Sequence, residues 1–321
     1  MSGAAGSSVA ARGPSPAAPG AHGARRSNIE VVFTVKNEEI NLPYALAAVM
    51  PWADKVWVVD SESTDRTREI AREFGAKVVV QTWLGYAGQK NWCLDHLPIE
   101  SEWVLIVDGD EVVQPDLRDS MMAVAARPAA GVPEAAFYVN RYFVFLGKRI
   151  RHCGFYPSWN IRFVRPAKAR YEMRDVHEHM VVNGAVGFLG GHLEHNDRRG
   201  LEVYMDKHNK YSTLEAREIF RASRGESSEQ FEGRLFGTAP QRRRWIKRHI
   251  YARVRPKWLF RFLYSYIVKL GFLDGVNGLR FCLFISAYEL LIDLKLVELR
   301  VEAAKEDVAS DAAAAAHRGG L

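Results

Sequence analysis

Four short apolar runs rich in β-branched residues, at residues 29–35, 55–59, 77–80 and 103–107, limit this chain more than any other feature. Runs without polar alternation are buried on both faces, as the strands of a parallel sheet are. The segments between them have helical character. Leu42, Leu46 and Val49 recur at helical spacing, residues 68–74 end at the stop signal Gly75, and a third helix is expected around 89–97. Strand, helix and strand repeated in this way predict an α/β fold with a mainly parallel sheet and helices on both faces.

The pattern changes after about residue 131. Residues 137–145, 159–164 and 180–188 read as strands separated by turns, which predicts an antiparallel or mixed extension, and residues 201–221 read as a helix. Hydrophobic residues at 48% and charged residues at 26% suit a globular chain with a substantial core. The expected organisation is a tail at 1–27, a catalytic domain at 28–222, a linker at 223–240, a basic and amphipathic helical region at 241–302, and an Ala-rich tail at 303–321. Both tails are expected to be disordered. The cysteines Cys93, Cys153 and Cys282 are far apart in sequence and form no CxxC pair. This argues against a zinc cage or disulfide framework and fits a reducing compartment.

In open α/β sheets, ligands bind beyond the carboxyl ends of the strands, and the acids fall there. Glu38 follows the first strand, Asp60 ends the second, and Asp108 and Asp110 flank Gly109 after the fourth, with Glu111 lengthening the acidic turn. Two carboxylates one residue apart can face a single hard cation, Mg²⁺ or Mn²⁺, and leave coordination positions open for a diphosphate. Taken singly, these acids also suit turns and helix starts.

The stretches FTVKNEEINLPYAL, VWVVDSESTDRT, GYAGQKNWCLDHL, WVLIVDGDEVV and RDVHEHM, in this order, resemble the inverting glycosyltransferases of family 2. The likeness is strongest to bacterial lipopolysaccharide-core β-1,4-glucosyltransferases and covers roughly residues 29–211. It implies a GT-A fold, with a Rossmann-like nucleotide-binding half and a mixed-sheet acceptor half. It further implies transfer of a sugar, glucose, from a nucleotide-sugar donor, UDP-linked, to a cell-envelope glycan or lipid-linked acceptor. Donor binding would fall to Thr34, Glu38, Asp60, Lys90 and Asp108. Metal binding would fall to Asp110, with Asp108 and possible help from His195. Glu178 would be the general base, with Asp175 in reserve. Where this family usually has Ala between the two aspartates the chain has Gly109, a change expected to matter little for the metal.

Other readings fit less well. A phosphohydrolase of haloacid-dehalogenase type would place its D-x-D on the first strand, whereas three βα units precede it here. A dinucleotide cofactor would call for GxGxxG after the first strand, and none is present. A non-catalytic nucleotide-binding scaffold and transfer to a polyprenyl phosphate remain as alternatives. His177, His179, His192 and His195 lack the HExxH spacing of a zinc helix. Between residues 241 and 257, Arg242, Arg243, Arg244, Lys247, Arg248, Arg253, Arg255 and Lys257 occur with no acid, interleaved with Trp245 and Tyr251. An apolar stretch broken by Arg261, Lys269, Asp274, Arg280, Glu289 and Asp293 follows, with residues 271–278 as a turn. This predicts peripheral attachment to an anionic membrane surface, on the cytoplasmic face, by a hairpin that does not span. No nucleic-acid partner is expected.

Overall fold

The computed structural model describes residues 27–172, 179–225 and 256–318, with only the backbone described for 307–318. Most of the first tail, most of the linker, the basic run 242–255, and both base candidates, Asp175 and Glu178, lie outside the described residues.

The predicted βα units are present. β1 (Ile29–Val35), α1 (Leu42–Val49), β2 (Lys55–Asp60), α2 (Thr67–Glu73), β3 (Lys77–Val80), α3 (Tyr86–His96) and β4 (Trp103–Asp108) follow in order. β3, β2, β1 and β4 are parallel neighbours. Alternate residues on these strands serve two cores, as the period of a strand requires. Phe33, Val58 and Leu105 meet α1 and α2 on one face, while Val32, Val59 and Ile106 meet α3 on the other. Glu30 is a buried charge within β1. It accepts hydrogen bonds from Trp57 Nε1 at 2.6 Å and from the backbone of Glu100 and Ser101 at 2.8 and 3.0 Å, which satisfies a carboxylate that burial would otherwise penalise.

The sheet continues through β5 (Glu111–Val113), β6 (Glu134–Phe145), β7 (Lys148–Ile150), β8 (Ser158–Val164) and β11 (Ala185–His195) in the order β3-β2-β1-β4-β8-β6-β11-β5, with β7 on β6. The second half is mixed, as expected: β8 is antiparallel to β4 and β6, β11 is parallel to β6, and β5 is antiparallel to β11. The run read as one strand at 180–188 divides. β10 (Met180–Val182) pairs with β9 (Ala169–Tyr171) in a separate ribbon, and β11 starts at Ala185. The sequence reading assigns no helix after the acidic turn, yet α4 (Pro115–Ala125) begins there with Pro at its first position and buries Leu117 and Met121. β11 breaks register beside α4. An ideal Cβ on Gly191 would lie 2.2 Å from the Leu117 nitrogen, and its φ is +87°, so only glycine fits this crossing.

α5 (Leu201–Ser223) packs against the last helix, α7 (Gly275–Arg318). Between α6 (Lys257–Leu263) and α7 the chain turns through short π and 3₁₀ segments, in the region where the sequence places a turn. The hairpin is part of the same body as the sheet. Phe281, Cys282 and Ile285 of α7 form a buried cluster with Phe145, Ile150 and Cys153. Asp274 receives the backbone N–H of His152 at 2.8 Å and contacts the His152 ring at 2.9 Å. Each large apolar side chain so buried contributes about 1.5–3 kcal/mol. α7 also runs on to Arg318, over residues assigned above to a tail; alanine, the strongest helix former, accounts for this difference. Among the described residues, no helix is long and apolar enough to cross a membrane.

Candidate active site

The pairing register brings the strand-end acids to one edge. Thr34 of β1 pairs with Asp108 of β4, and Val35 pairs with Asp60 of β2. Strand order reverses at β1 and β4, with β2 and β3 on one side and the mixed half on the other. Such a reversal opens a crevice in an α/β sheet.

The loops after β1 and β2 are stitched together by the polar residues of SESTDRT. Asn37 N donates to Ser63 Oγ at 2.8 Å, Glu38 N to Thr67 Oγ1 at 2.8 Å, and Glu39 N to Asp65 Oδ2 at 3.1 Å. This holds Asp60 and Glu38 in place. Asp60 is fully buried; its Oδ2 accepts the Ser63 N–H at 2.9 Å, and its Oδ1 has no hydrogen-bond partner. A buried carboxylate oxygen without a partner is costly. Glu38 is tied to Arg199 at 3.0 Å and accepts from Asn41 at 2.7 Å, while Arg199 also grips Asp197 at 2.6 Å. Burial first, and the charge of Asp110 second, push the Glu38 carboxyl up to about 8 despite Arg199.

The two aspartates of the turn have different surroundings. Asp108 is committed to cations on both oxygens, with Lys90 Nζ 3.2 Å from Oδ1 and Arg162 2.9 Å from Oδ2. Burial would raise its pKa, but these two cations outweigh burial and hold the carboxyl below the usual range. Asp110 Oδ2 lies 3.2 Å from His195 Nε2 and 3.5 Å from Lys207 Nζ. Its carboxyl is likewise held well below the usual range, as His195 and Lys207 overcome the effect of burial. Glu111 does not lengthen an acidic ligand surface, contrary to the sequence reading. It points into the protein, 1% exposed, where it receives the Asp108 N–H at 3.0 Å and pairs with Arg141 and Arg162 at 3.0 and 2.9 Å.

Thr34, Glu38, Asp60, Lys90, Asp108, Asp110 and His195 therefore gather at one sheet edge. Lys90, readable in sequence as an exposed helical lysine, is only 6% exposed. Among the described residues the histidines do not converge, since His192 is engaged by Tyr156 and Asp116. Among the described residues, no three His, Cys, Asp or Glu side chains form a metal-holding group. Asp110 and His195 lie side by side, a donor set that would suit a hard divalent ion whose other positions go to phosphate oxygens. The sequence reading missed Arg162, Arg199 and Lys207. Each comes from outside the βα units, and none stands in a recognisable motif.

Beside this edge lies a chamber of about 1100 Å³, bounded by the sheet, α3, α5 and the C-terminal hairpin. Lys90 and Arg162 line it on one side, and Tyr264, Tyr288 and Glu289 on the other. His179, the residue after Glu178, also lines it.

A family model described as glycosyl transferase family 2 matches residues 30–189. A glycosyltransferase of Rickettsia typhi is 31% identical over 209 residues, covering 60% of this chain and 68% of the relative. A lipopolysaccharide core biosynthesis glycosyltransferase of Rhizobium meliloti is 30% identical over 187 residues, covering 56% of this chain and 67% of the relative. A glycosyltransferase of Rickettsia bellii is 42% identical over 98 residues, a third of its length. Among solved structures, glucosyl-3-phosphoglycerate synthase from Mycobacterium tuberculosis, in complex with Mn²⁺, uridine diphosphate and glucosyl-3-phosphoglycerate, matches at a TM-score of 0.30 and 20% identity. That match covers 36% of this chain and 44% of the other, too slight a likeness to bear on ligands.

Proposed function

The chain belongs to glycosyl transferase family 2 and is a glycosyltransferase, and on that premise we propose that it transfers glucose from UDP-glucose, with inversion, to a cell-envelope glycan or lipid-linked acceptor. The observation that carries this reading is the paired turn. Asp108 is flanked by Lys90 and Arg162, Asp110 lies beside His195 and Lys207, and the partnerless oxygen of Asp60 sits along the same edge. The cations suit the two phosphates of the donor. Asp60 Oδ1 suits a base that presents an N–H, as uracil does, and Asp108 and the β1 end at Thr34 suit the ribose side. Glu38 borders the donor and orients Arg199.

Asp110 and His195 would hold Mg²⁺ or Mn²⁺, which when bound neutralises charge developing on the leaving nucleoside diphosphate. Lys90, Arg162 and Lys207 add fixed positive charge around the same group, arranged before the reaction begins. Glu178, with Asp175 in reserve, takes the proton from the acceptor hydroxyl as that oxygen attacks the anomeric carbon. The name of the Rhizobium meliloti relative supports an envelope acceptor. The deciding assay incubates the full chain with UDP-, GDP- and dTDP-sugars and Mn²⁺ and measures free nucleotide. UDP release from UDP-glucose is expected, and no release from any donor would overturn the reading.

The chain also attaches to the inner face of the cell membrane without crossing it. The hairpin exposes Leu263, Ile267, Val268, Phe272, Leu273 and Val276, each at least 43% accessible, in a contiguous stretch of sequence that follows the basic run. Apolar burial combined with basic charge, about 1 kcal/mol for each Lys or Arg near anionic lipid, suffices for surface attachment. Release from membranes by alkaline carbonate is expected; retention until detergent is added would contradict it.

A further inference from the structure

We propose that the chamber between the sheet and the C-terminal hairpin is the acceptor site, and that it grips sugar rings rather than a lipid chain. This rests on the glycosyl-transfer reading above and adds the acceptor's chemistry to it.

The walls decide between the two chemistries. Eleven of the twenty-two lining residues are Tyr, Phe or Trp, seven of them tyrosine, and only Ile161, Met180 and Ile285 are aliphatic. A channel for a polyprenyl chain needs no hydrogen-bonding groups and would be walled by aliphatic side chains. A sugar ring presents an apolar C–H face and a rim of hydroxyls, and aromatic side chains with polar tips match both. Here the tips are already linked to one another. Tyr86 and Tyr211 hydroxyls lie 3.0 Å apart, and the Tyr288 hydroxyl donates to Glu215 at 2.9 Å. Trp159, 40% exposed on the wall, leaves part of its indole open to a ring. At about 1100 Å³ the chamber slightly exceeds the usual range of small-molecule sites, large enough for more than one sugar residue.

Its position fits transfer. Lys90 and Arg162 line the chamber and pair with Asp108, so it opens onto the edge assigned to the donor. The hairpin is then half of the acceptor site. Tyr288 reaches across from α7 to Glu215 on α5, and Tyr264 lies in the turn of the hairpin whose exposed apolar side is assigned to the membrane. A lipid-borne glycan could keep its lipid in the bilayer and place only its sugars in the chamber.

The test uses the full chain with Mn²⁺ and UDP. Calorimetry measures binding of core oligosaccharide freed of lipid by mild acid and, separately, of undecaprenyl phosphate in lipid nanodiscs. The oligosaccharide is expected to bind. Tyr264→Ala and Tyr288→Ala should each weaken it at least tenfold while changing UDP affinity less than twofold. Tyr264→Ala, at a half-exposed position, guards against a folding defect in the other variant. An oligosaccharide that fails to bind, or binds both variants as well as the parent, overturns the proposal, as does binding of undecaprenyl phosphate alone. UDP release from UDP-glucose in water separates the two readings: if it occurs and the sugar does not bind, only the chamber proposal falls.

Discussion

On the parallel half of the sheet the charged groups of the cleft, apart from Lys90 of α3, are acids delivered by strand ends: Asp60 closes β2, Asp108 closes β4, and Asp110 follows two residues later. On the mixed half they are cations delivered by tertiary placement. Arg162 reaches in from the middle of β8, Arg199 from the loop after β11, and Lys207 from α5. Asp108 is partly exposed at the crevice, and asparagine at Asp110 would keep the volume of the carboxylate and one acceptor oxygen, so changes at these acids disturb little packing. Arg162 neutralises the fully buried Glu111 as well as Asp108, so folding itself depends on it.

That contrast predicts the largest effects. Asp110→Asn should abolish turnover, by at least on the order of 10³-fold, because charge on the departing diphosphate loses its counter-ion. Arg162→Met should cost about 1–3 kcal/mol of stability, because buried Glu111 and Asp108 each lose a charged hydrogen-bond partner while Arg141 and Lys90 still hold them. Denaturant melts and single-turnover assays on both variants test the pair. The contrast breaks if Arg162→Met is as stable as the parent, or if Asp110→Asn destabilises more than Arg162→Met does.

The same contrast sets what the sequence could reveal. The parallel half was legible because each strand is a buried apolar run and each acid follows one. β1 and β3 have the bounds read from composition alone, and β2 and β4 each extend one residue further. Asp110 and His195 were placed together only through family resemblance, and the structure sets them 3.2 Å apart. Arg162 and Lys207 were invisible because nothing local distinguishes an arginine in a strand or a lysine on an amphipathic helix from an exposed one. Their partners are 54 and 97 residues away in sequence. Glu111 was misread for the same reason: next to a ligand turn in sequence, it faces the opposite way and holds arginines from two other strands.

A second prediction asks whether an acid beyond the parallel half can act on the acceptor. Glu178→Gln should leave UDP-glucose affinity nearly unchanged and lower turnover by about 10²- to 10⁴-fold, since only proton removal from the acceptor hydroxyl is lost. Measuring kcat and donor KM for this variant and for Asp175→Asn decides between the two. A loss confined to Asp175→Asn would move the base to the reserve position.

The smallest expected effect is at Gly109, between the two aspartates, where the Glu38 stem of the parallel half packs against the turn. Its backbone is outside the left-handed region, so alanine costs nothing in conformation there and would by itself add about 0.4–1 kcal/mol through the unfolded state. The space argues the other way. An added Cβ would lie 2.8 Å from Glu38 Cγ, 3.1 Å from Glu38 Cβ and 3.2 Å from Val35 Cγ1. These atoms are the stem of Glu38 and a core side chain, and Arg199 and Asn41 already hold the Glu38 tip, so rotation gives little relief. Overpacking of this kind costs about 1–3 kcal/mol, which leaves Gly109→Ala a net loss of roughly 1–2 kcal/mol. The turn or the end of β1 must also move by a few tenths of an ångström. A 1 Å misplacement can cost about 10²-fold in rate, so this smaller shift should lower kcat/KM by less than about tenfold. Removing the Glu38 stem tests the cause. In a Glu38→Ala background the added methyl should lose most of its effect, with a coupling of about 1 kcal/mol in a double-mutant cycle. Additive effects would show that Gly109 serves the turn alone and that Glu38 has no part in positioning it.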